Sequence, residues 1–174
     1  VIIDNITGGR MAVEHLINQG HQKIAFIGGL EDISANQERL KGYKNALEAH
    51  GITVNQDYIR NSNFKRESGH YIMNELLRID PRPTAIFAAN DLLALGAFQA
   101  IKEQGLRLPI DVAVVGFDDI EFASLPEIQL TTVAQPKYNM DKLALLTLVE
   151  QIKSSSFVRQ RIMLEPELIV RGTT

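Results

Sequence analysis

Apolar residues along this chain follow two patterns that alternate: short unbroken runs, and longer stretches in which they recur at helical spacing. The runs at 84–89 and 112–117 have the continuity of buried strands, and 23–27 and 130–134 also read as strands. Val1-Ile2-Ile3 reads as a strand end, 58–61 as a weaker strand, and 161–171 as a closing strand pair. Between these lie helical stretches. Met11, Ala12, Leu16 and Ile17 form one that stops at Gly20, with Thr7 as its cap. Leu40, Tyr43 and Leu47 form another, opened by Ser34 and Gln37 at capping-box spacing and stopped by Gly51. A third covers about 67–78, a fourth carries Leu92, Leu95, Phe98 and Ile101 before Gly105, and a fifth covers about 139–154. Strand–helix alternation of this kind predicts an α/β fold with a doubly wound, mostly parallel sheet.

Residues 84–119 carry this pattern most sharply, as a strand–helix–strand unit whose strands must be parallel. Each strand runs straight into polar residues, Asn90-Asp91 after one and Asp118-Asp119 after the other. Open parallel sheets bind ligands at the carboxyl ends of their strands, so these positions are candidates for a site. Two stretches depart from a simple reading. The fifth helix is apolar around more than half its circumference and calls for cover on more than one side. The connection 119–129 is long for such a fold and could form a lip over the site.

Composition narrows the function. The chain has 174 residues, enough for one domain, and a net charge of −3, which gives no support for nucleic-acid binding by this segment itself. No apolar run approaches the roughly 18 residues of a membrane span, and there is no secretory leader pattern at Val1. Cysteine is absent, which excludes disulfides and thiolate chemistry and fits a reducing compartment.

The polar residues just past the strands are Asp4, Gly28-Gly29, Asn63-Phe64, Asn90-Asp91, Asp118-Asp119 and Gln135, with Arg39 one turn into the helix after the Gly-Gly pair. Short carboxylates and amides accept from and donate to adjacent hydroxyls, a guanidinium donates to ring or hydroxyl oxygens, and a phenyl ring covers C–H groups. A sugar or nucleoside complements that set. A few charged hydrogen bonds at about 1.5–3 kcal/mol each are sufficient for micromolar binding. Each residue alone also has a structural reading: Asp91 as an N-cap, Asp119 as a solvated or capping residue, His21 as a surface turn residue. GxGxxG, Walker and GxSxG patterns are missing, the histidines lack ligand spacing, and no nucleophile–base pair stands out. Neither an enzyme nor a cofactor or metal is expected. The one enzymatic alternative is a flavodoxin-like phosphoryl-transfer site using Asp118-Asp119 with Mg²⁺.

Taken in order, IIDNITGGRMAVEHLINQGHQKIAFIGG, RLKGYKNALEAHGI, PTAIFAANDLLALGA, GLRLPIDVAVVGFDD, LTTVAQP and LEPELIVRGTT resemble the lactose/galactose repressor (LacI/GalR) family of bacterial transcription regulators over essentially the whole chain. The resemblance implies an effector-binding core of the type I periplasmic-binding-protein kind. By the family pattern its C-terminal subdomain, 5–134 plus 163–174, is expected to be complete. By the same pattern its N-terminal subdomain is expected to be largely missing and represented by 1–4 plus 135–162, with the helix-turn-helix domain expected to be absent from this chain. By the same resemblance Asp4, Arg39, Phe64, Asn90, Asp118 and Gln135 match ligand contacts. Asp32 and Ser34 lie on a segment whose length and residue types differ between members. The implied partners are a small effector, a second copy of the chain meeting through helices 67–78 and 92–104, and operator DNA reached only through the missing domain, in the cytoplasm and away from membranes. The fifth helix would then have lost its usual neighbours and is expected to pack on another copy. The same fold and chemistry also suit an exported sugar-binding protein of a transport system.

Overall fold

The computed structural model describes residues 1–153 and 161–174. The elements run β1 (Ile2–Ile3), α1 (Asn5–Asn18), β2 (Ile24–Gly28), α2 (Ser34–Ala49), β3 (Ile59–Asn61), α3 (Arg66–Leu76), β4 (Ala85–Ala88), α4 (Asp91–Glu103), β5 (Ala113–Asp118), β6 (Thr131–Ala134), α5 (Lys137–Lys153), β7 (Met163–Leu164) and β8 (Glu167–Ile169). Six strands form one sheet in the order β3-β2-β4-β5-β6-β8, parallel except for β8, which pairs antiparallel with β6. The strand order reverses between β3 and β4, so right-handed crossovers place α2 on the opposite face from α3 and α4. α1 packs on α2 and reaches β4, β5, β6 and β8, while α3 packs on α4. That is the doubly wound α/β arrangement the alternation predicts.

The central strands are buried on both faces: every residue of β2 and β4 is buried, and Ala113 to Phe117 of β5 are as well. The helix pairs approach closely through glycine. A Cβ at Gly42 would overlap backbone of α1, and one at Gly96 would overlap backbone of α3. Gly20, Gly51 and Gly105 end α1, α2 and α4 with φ of +93°, +69° and +72°, the left-handed conformation that glycine adopts without strain.

Several local expectations are corrected. α1 is capped by Asp4, whose Oδ1 accepts from the Thr7 amide, so Thr7 is inside the helix rather than at its cap. α2 starts after Ile33 with no side-chain cap, and Gln37 donates instead to the Glu31 carbonyl. The last two strands do not pair with each other: β7 joins β1 in a separate two-stranded sheet, and β8 joins the main one. The connection 119–129 is no free lip. It folds into a 3-10 turn at Glu121–Ser124 that buries Ala123, whose carbonyl accepts from the Leu130 amide. α5 begins two residues earlier than expected, buries no residue, and leaves Leu145, Leu148 and Ile152 exposed. The serine turn expected at 154–156 lies outside the described residues.

Candidate functional site

Arg39 is the centre of the carboxyl edge. It projects from α2, is 6% exposed, and its guanidinium carbon lies 3.6 Å from the centre of the Phe117 ring. Its Nε donates to Asn5 Oδ1 at 2.9 Å and its Nη1 to the Ala89 carbonyl, while its Nη2 faces Asp118 Oδ1 at 3.5 Å. One side chain therefore ties the start of α1 and the ends of β4 and β5 to a single point. The Phe117 ring also meets α1 at Gly8, where a Cβ would sit 2.7 Å from it. Burial pulls the Arg39 pKa below its ordinary value and the nearby Asp118 carboxylate opposes it, which leaves a guanidinium that stays charged.

Two arms extend from this centre. On one, Gln135 Nε2 donates to Asp118 Oδ1 at 2.6 Å, bringing the residue after β6 against the residue ending β5. Burial raises the Asp118 pKa, with Arg39 and the Gln135 bond opposing; the ion pair at 3.5 Å is too long to reverse it. On the other arm, Asn90 caps α4 with Oδ1 accepting from the Leu93 amide, while its Nδ2 donates to the Phe64 carbonyl at 3.1 Å. Phe64 has a φ of +62° and lays its ring over Gly29, where a Cβ would overlap it. The Gly29 amide in turn donates to Asn36 Oδ1 at 2.8 Å, and Asn36 donates to Asn61.

Arg39, Phe64, Asn90, Asp118 and Gln135 therefore form one connected arc at the carboxyl ends of β2 to β6. Asp4 stands at the entrance to α1, but both of its carboxylate oxygens are engaged by Thr7, one by the amide and one by the hydroxyl. Those bonds, led by the amide, hold its pKa below the usual carboxylate value. Asp32 and Ser34 are exposed on the segment leading into α2.

Three structural readings are also corrected. Asp91 is not the N-cap; Asn90 is, and Asp91 is fully buried with partners on two other segments. Asp119 is neither free nor a cap: Arg171 Nη2 lies 2.8 Å from its carboxylate, and Lys137 donates to its carbonyl. His21 is partly buried and hydrogen-bonds Thr84 at 3.0 Å. The two aspartates proposed for Mg²⁺ thus face different cations, and among the described residues no three His, Asp or Glu side chains are grouped to hold a metal.

Sequence reasoning missed Asn5, Asn36 and Phe117. Phe117 had a signal, an aromatic ring ending an otherwise aliphatic strand beside an aspartate. Asn5 and Asn36 had none, since each acts through a partner distant in sequence.

A family profile described as a periplasmic binding protein-like domain matches residues 13–174. The chain belongs to that family. Among curated proteins it is similar to the ribose operon repressor of Haemophilus influenzae, with 41% identity over 98% of this chain and 52% of the relative. It is also 39% identical to the repressor CytR of Escherichia coli K12, over 100% of this chain and 51% of the relative. A solved transcriptional regulator CelR in complex with cellobiose superposes with a TM-score of 0.94 at 41% identity, covering 99% of this chain and 53% of that one. The Escherichia coli repressor ascG gives 0.89 at 35% identity, over 99% and 62%. These relatives are LacI-family regulators, as the motif resemblance implied. The chain spans about half the length of the curated relatives it matches.

Proposed function

We propose that this chain is the effector-binding part of a cytoplasmic LacI-type transcriptional repressor and that it holds one side of a small, hydroxyl-rich metabolite at the carboxyl edge of its sheet. The observation that carries the reading is the contact arc centred on Arg39. A stacked guanidinium, two amides, one carboxylate and one phenyl ring converge there from five different segments, which no single turn or cap requires. Arg39 and Asp118 present a donor and an acceptor side by side, the pairing that vicinal hydroxyls match. Similarity to a ribose operon repressor and to a regulator solved with cellobiose supports a sugar or sugar-containing ligand.

In this reading 5–134 plus the chain end from β8 onward form one subdomain, while β1, α5 and β7 belong to a second that also contacts the ligand. The pairing of β7 with β1 supports drawing the boundary after Leu164 rather than at Met163. A ligand that bridges the two subdomains favours one closure angle only by binding it better than the other. In a dimer assembled through α3 and α4, that angle would reposition DNA-binding heads carried on a segment outside this chain. Repressor relatives, rather than any feature of the fold, favour this over an exported binding protein.

The test is calorimetry on the intact protein with D-ribose and cellobiose, followed by Asp118→Ala and Gln135→Ala on whichever sugar binds. At least a tenfold loss in each variant, with the unfolding midpoint retained, is the expected result. Unchanged affinity in both variants refutes the site.

A further inference from the structure

Asp91 is a carboxylate in a place where a carboxylate is expensive: it is 0% exposed, at the first turn of α4. Its two oxygens reach two other segments. Thr132 on β6 donates its hydroxyl to Oδ1 at 2.6 Å, and the Ile120 amide donates to Oδ2 at 2.9 Å. It gets there by passing over Gly116 of β5, where a Cβ would overlap Oδ1. The room for this carboxylate thus exists only because β5 carries a glycine at that point.

Ile120 closes an unusual turn. Asp118 has a φ of +111° and Asp119 a φ of +51°, two consecutive non-glycine residues in left-handed backbone. Such residues cost on the order of 1–3 kcal/mol each and persist only where the surroundings over-determine them. The turn is held at four points: Gln135 on the Asp118 carboxylate, Arg171 on the Asp119 carboxylate, Lys137 on the Asp119 carbonyl, and Asp91 on the Ile120 amide. Gln135, Arg171 and Lys137 are partly or well exposed; Asp91 is the fully buried residue among the four, and its other oxygen accepts from Thr132 of the sheet.

We propose that Asp91 is a positioning residue, whose buried side-chain oxygen anchors the Ile120 amide and so holds the strained turn that aims Asp118 at Arg39. This rests on the reading of Asp118 as a ligand contact, although the anchoring itself needs no ligand. What the anchor requires is an acceptor, not a charge. An asparagine keeps it, with its carbonyl oxygen on the Ile120 amide and its amino group donating to the Thr132 oxygen; a leucine of similar volume does not.

Two measurements on the intact protein decide it. In hydrogen exchange resolved to single amides, Asp91→Leu should speed Ile120 exchange about tenfold to a hundredfold relative to Val114 and Val115 of β5, and Asp91→Asn should leave it within threefold of the native rate. An Ile120 amide that stays protected in the leucine variant overturns the proposal. If the leucine variant loosens β5 as well, the asparagine variant decides: retained protection supports the anchor, and lost protection overturns it. In calorimetry with D-ribose and cellobiose, Asp91→Leu should weaken the binding sugar at least tenfold and Asp91→Asn no more than threefold. Asp118→Ala separates the two claims. Affinity unchanged by Asp118→Ala sinks the site and leaves the exchange result standing. Affinity lost in Asp118→Ala but kept in Asp91→Leu sinks the positioning role alone.

Discussion

α4 and α5 are both leucine-rich helices beginning just past a strand, yet α4 buries eight of its residues and α5 buries none. Apolar content did not place either helix. α4 has β4 and β5 beneath it and α3 beside it. Among the described residues α5 has no such cover, and Leu145, Leu148, Val149 and Ile152, at the spacing of a single stripe, stand exposed. The contrast teaches what cover does for a helix start: α4 begins at Asn90 and Asp91, both fixed by partners, on the rim that also carries Arg39. The sharpest way to break the contrast is a matched truncation. Leu93→Ala in α4, where the side chain is 0% exposed, should cost about 2–5 kcal/mol in chemical denaturation. Leu146→Ala in α5 should cost a few tenths at most. Equal costs would mean that α5 is covered in solution.

The next largest effect is electrostatic. Burial pushes the Asp91 pKa up to about 6, against the pull of its Thr132 and Ile120 hydrogen bonds, and the neighbouring Asp118 and Asp119 carboxylates push the same way. An unfolded aspartate titrates near 3.9, so between about pH 4 and 6 the folded chain holds more protons here than the unfolded one. Stability from this group therefore falls as pH rises through that window and is level above it. The bonds survive the change, because a protonated Oδ1 donates to Thr132 while Oδ2 still accepts from Ile120. Asp91→Asn has no such titration. Native stability minus that of Asp91→Asn should drop by about 2 kcal/mol between pH 4.5 and pH 7. A pH-independent difference would place the titration elsewhere.

The framework of this contrast was legible in the sequence, and its details were not, for physical reasons. Apolar runs marked β2, β4 and β5 within a residue or two, because a strand buried on both faces has few polar positions to blur it; β6 was marked as closely although Thr131 and Thr132 interrupt its apolar run. Arg39, Phe64, Asn90, Asp118 and Gln135 could be picked because strand ends in a parallel sheet share one edge. Caps were misassigned in three helices, since Asp4 and Thr7, Ile33 and Ser34, or Asn90 and Asp91 lie so close that only backbone geometry chooses between them. The fates of β7 and β8 depend on partners far away along the chain, which no local pattern encodes. Asn5, an anchoring partner of Arg39, was invisible for the same reason, whereas Phe117 carried a signal that went unused.

A smaller effect probes the rim itself. Gly29 lies beneath the Phe64 ring and its amide donates to Asn36, so Gly29→Ala must displace the ring or the loop. Overpacking of this kind costs about 1–3 kcal/mol. Because Phe64 is only partly buried, the ring can swing outward and the stability loss should fall at the low end of that range. Affinity for a bound sugar should suffer more than stability does. A variant with native affinity would show that the Phe64 face is not used.

The smallest stability effect belongs to α5, and it is informative because it should be small. Leu148 is 53% exposed, so Leu148→Glu removes little buried area and adds a charge where water already reaches. Its unfolding free energy should stay within about 0.5 kcal/mol of native. Association is another matter. A stripe formed by Leu145, Leu148, Val149 and Ile152 has the pattern of a face that is normally covered, and a chain of these 174 residues offers a second copy of the same stripe as the nearest cover. Size-exclusion chromatography should therefore show concentration-dependent self-association that Leu148→Glu weakens, with any pairing through α3 and α4 retained. If the unsubstituted chain instead stays monomeric at every concentration, a copy does not cover this helix. If Leu148→Glu destabilises the fold by several kcal/mol, α5 is packed after all and its contrast with α4 disappears.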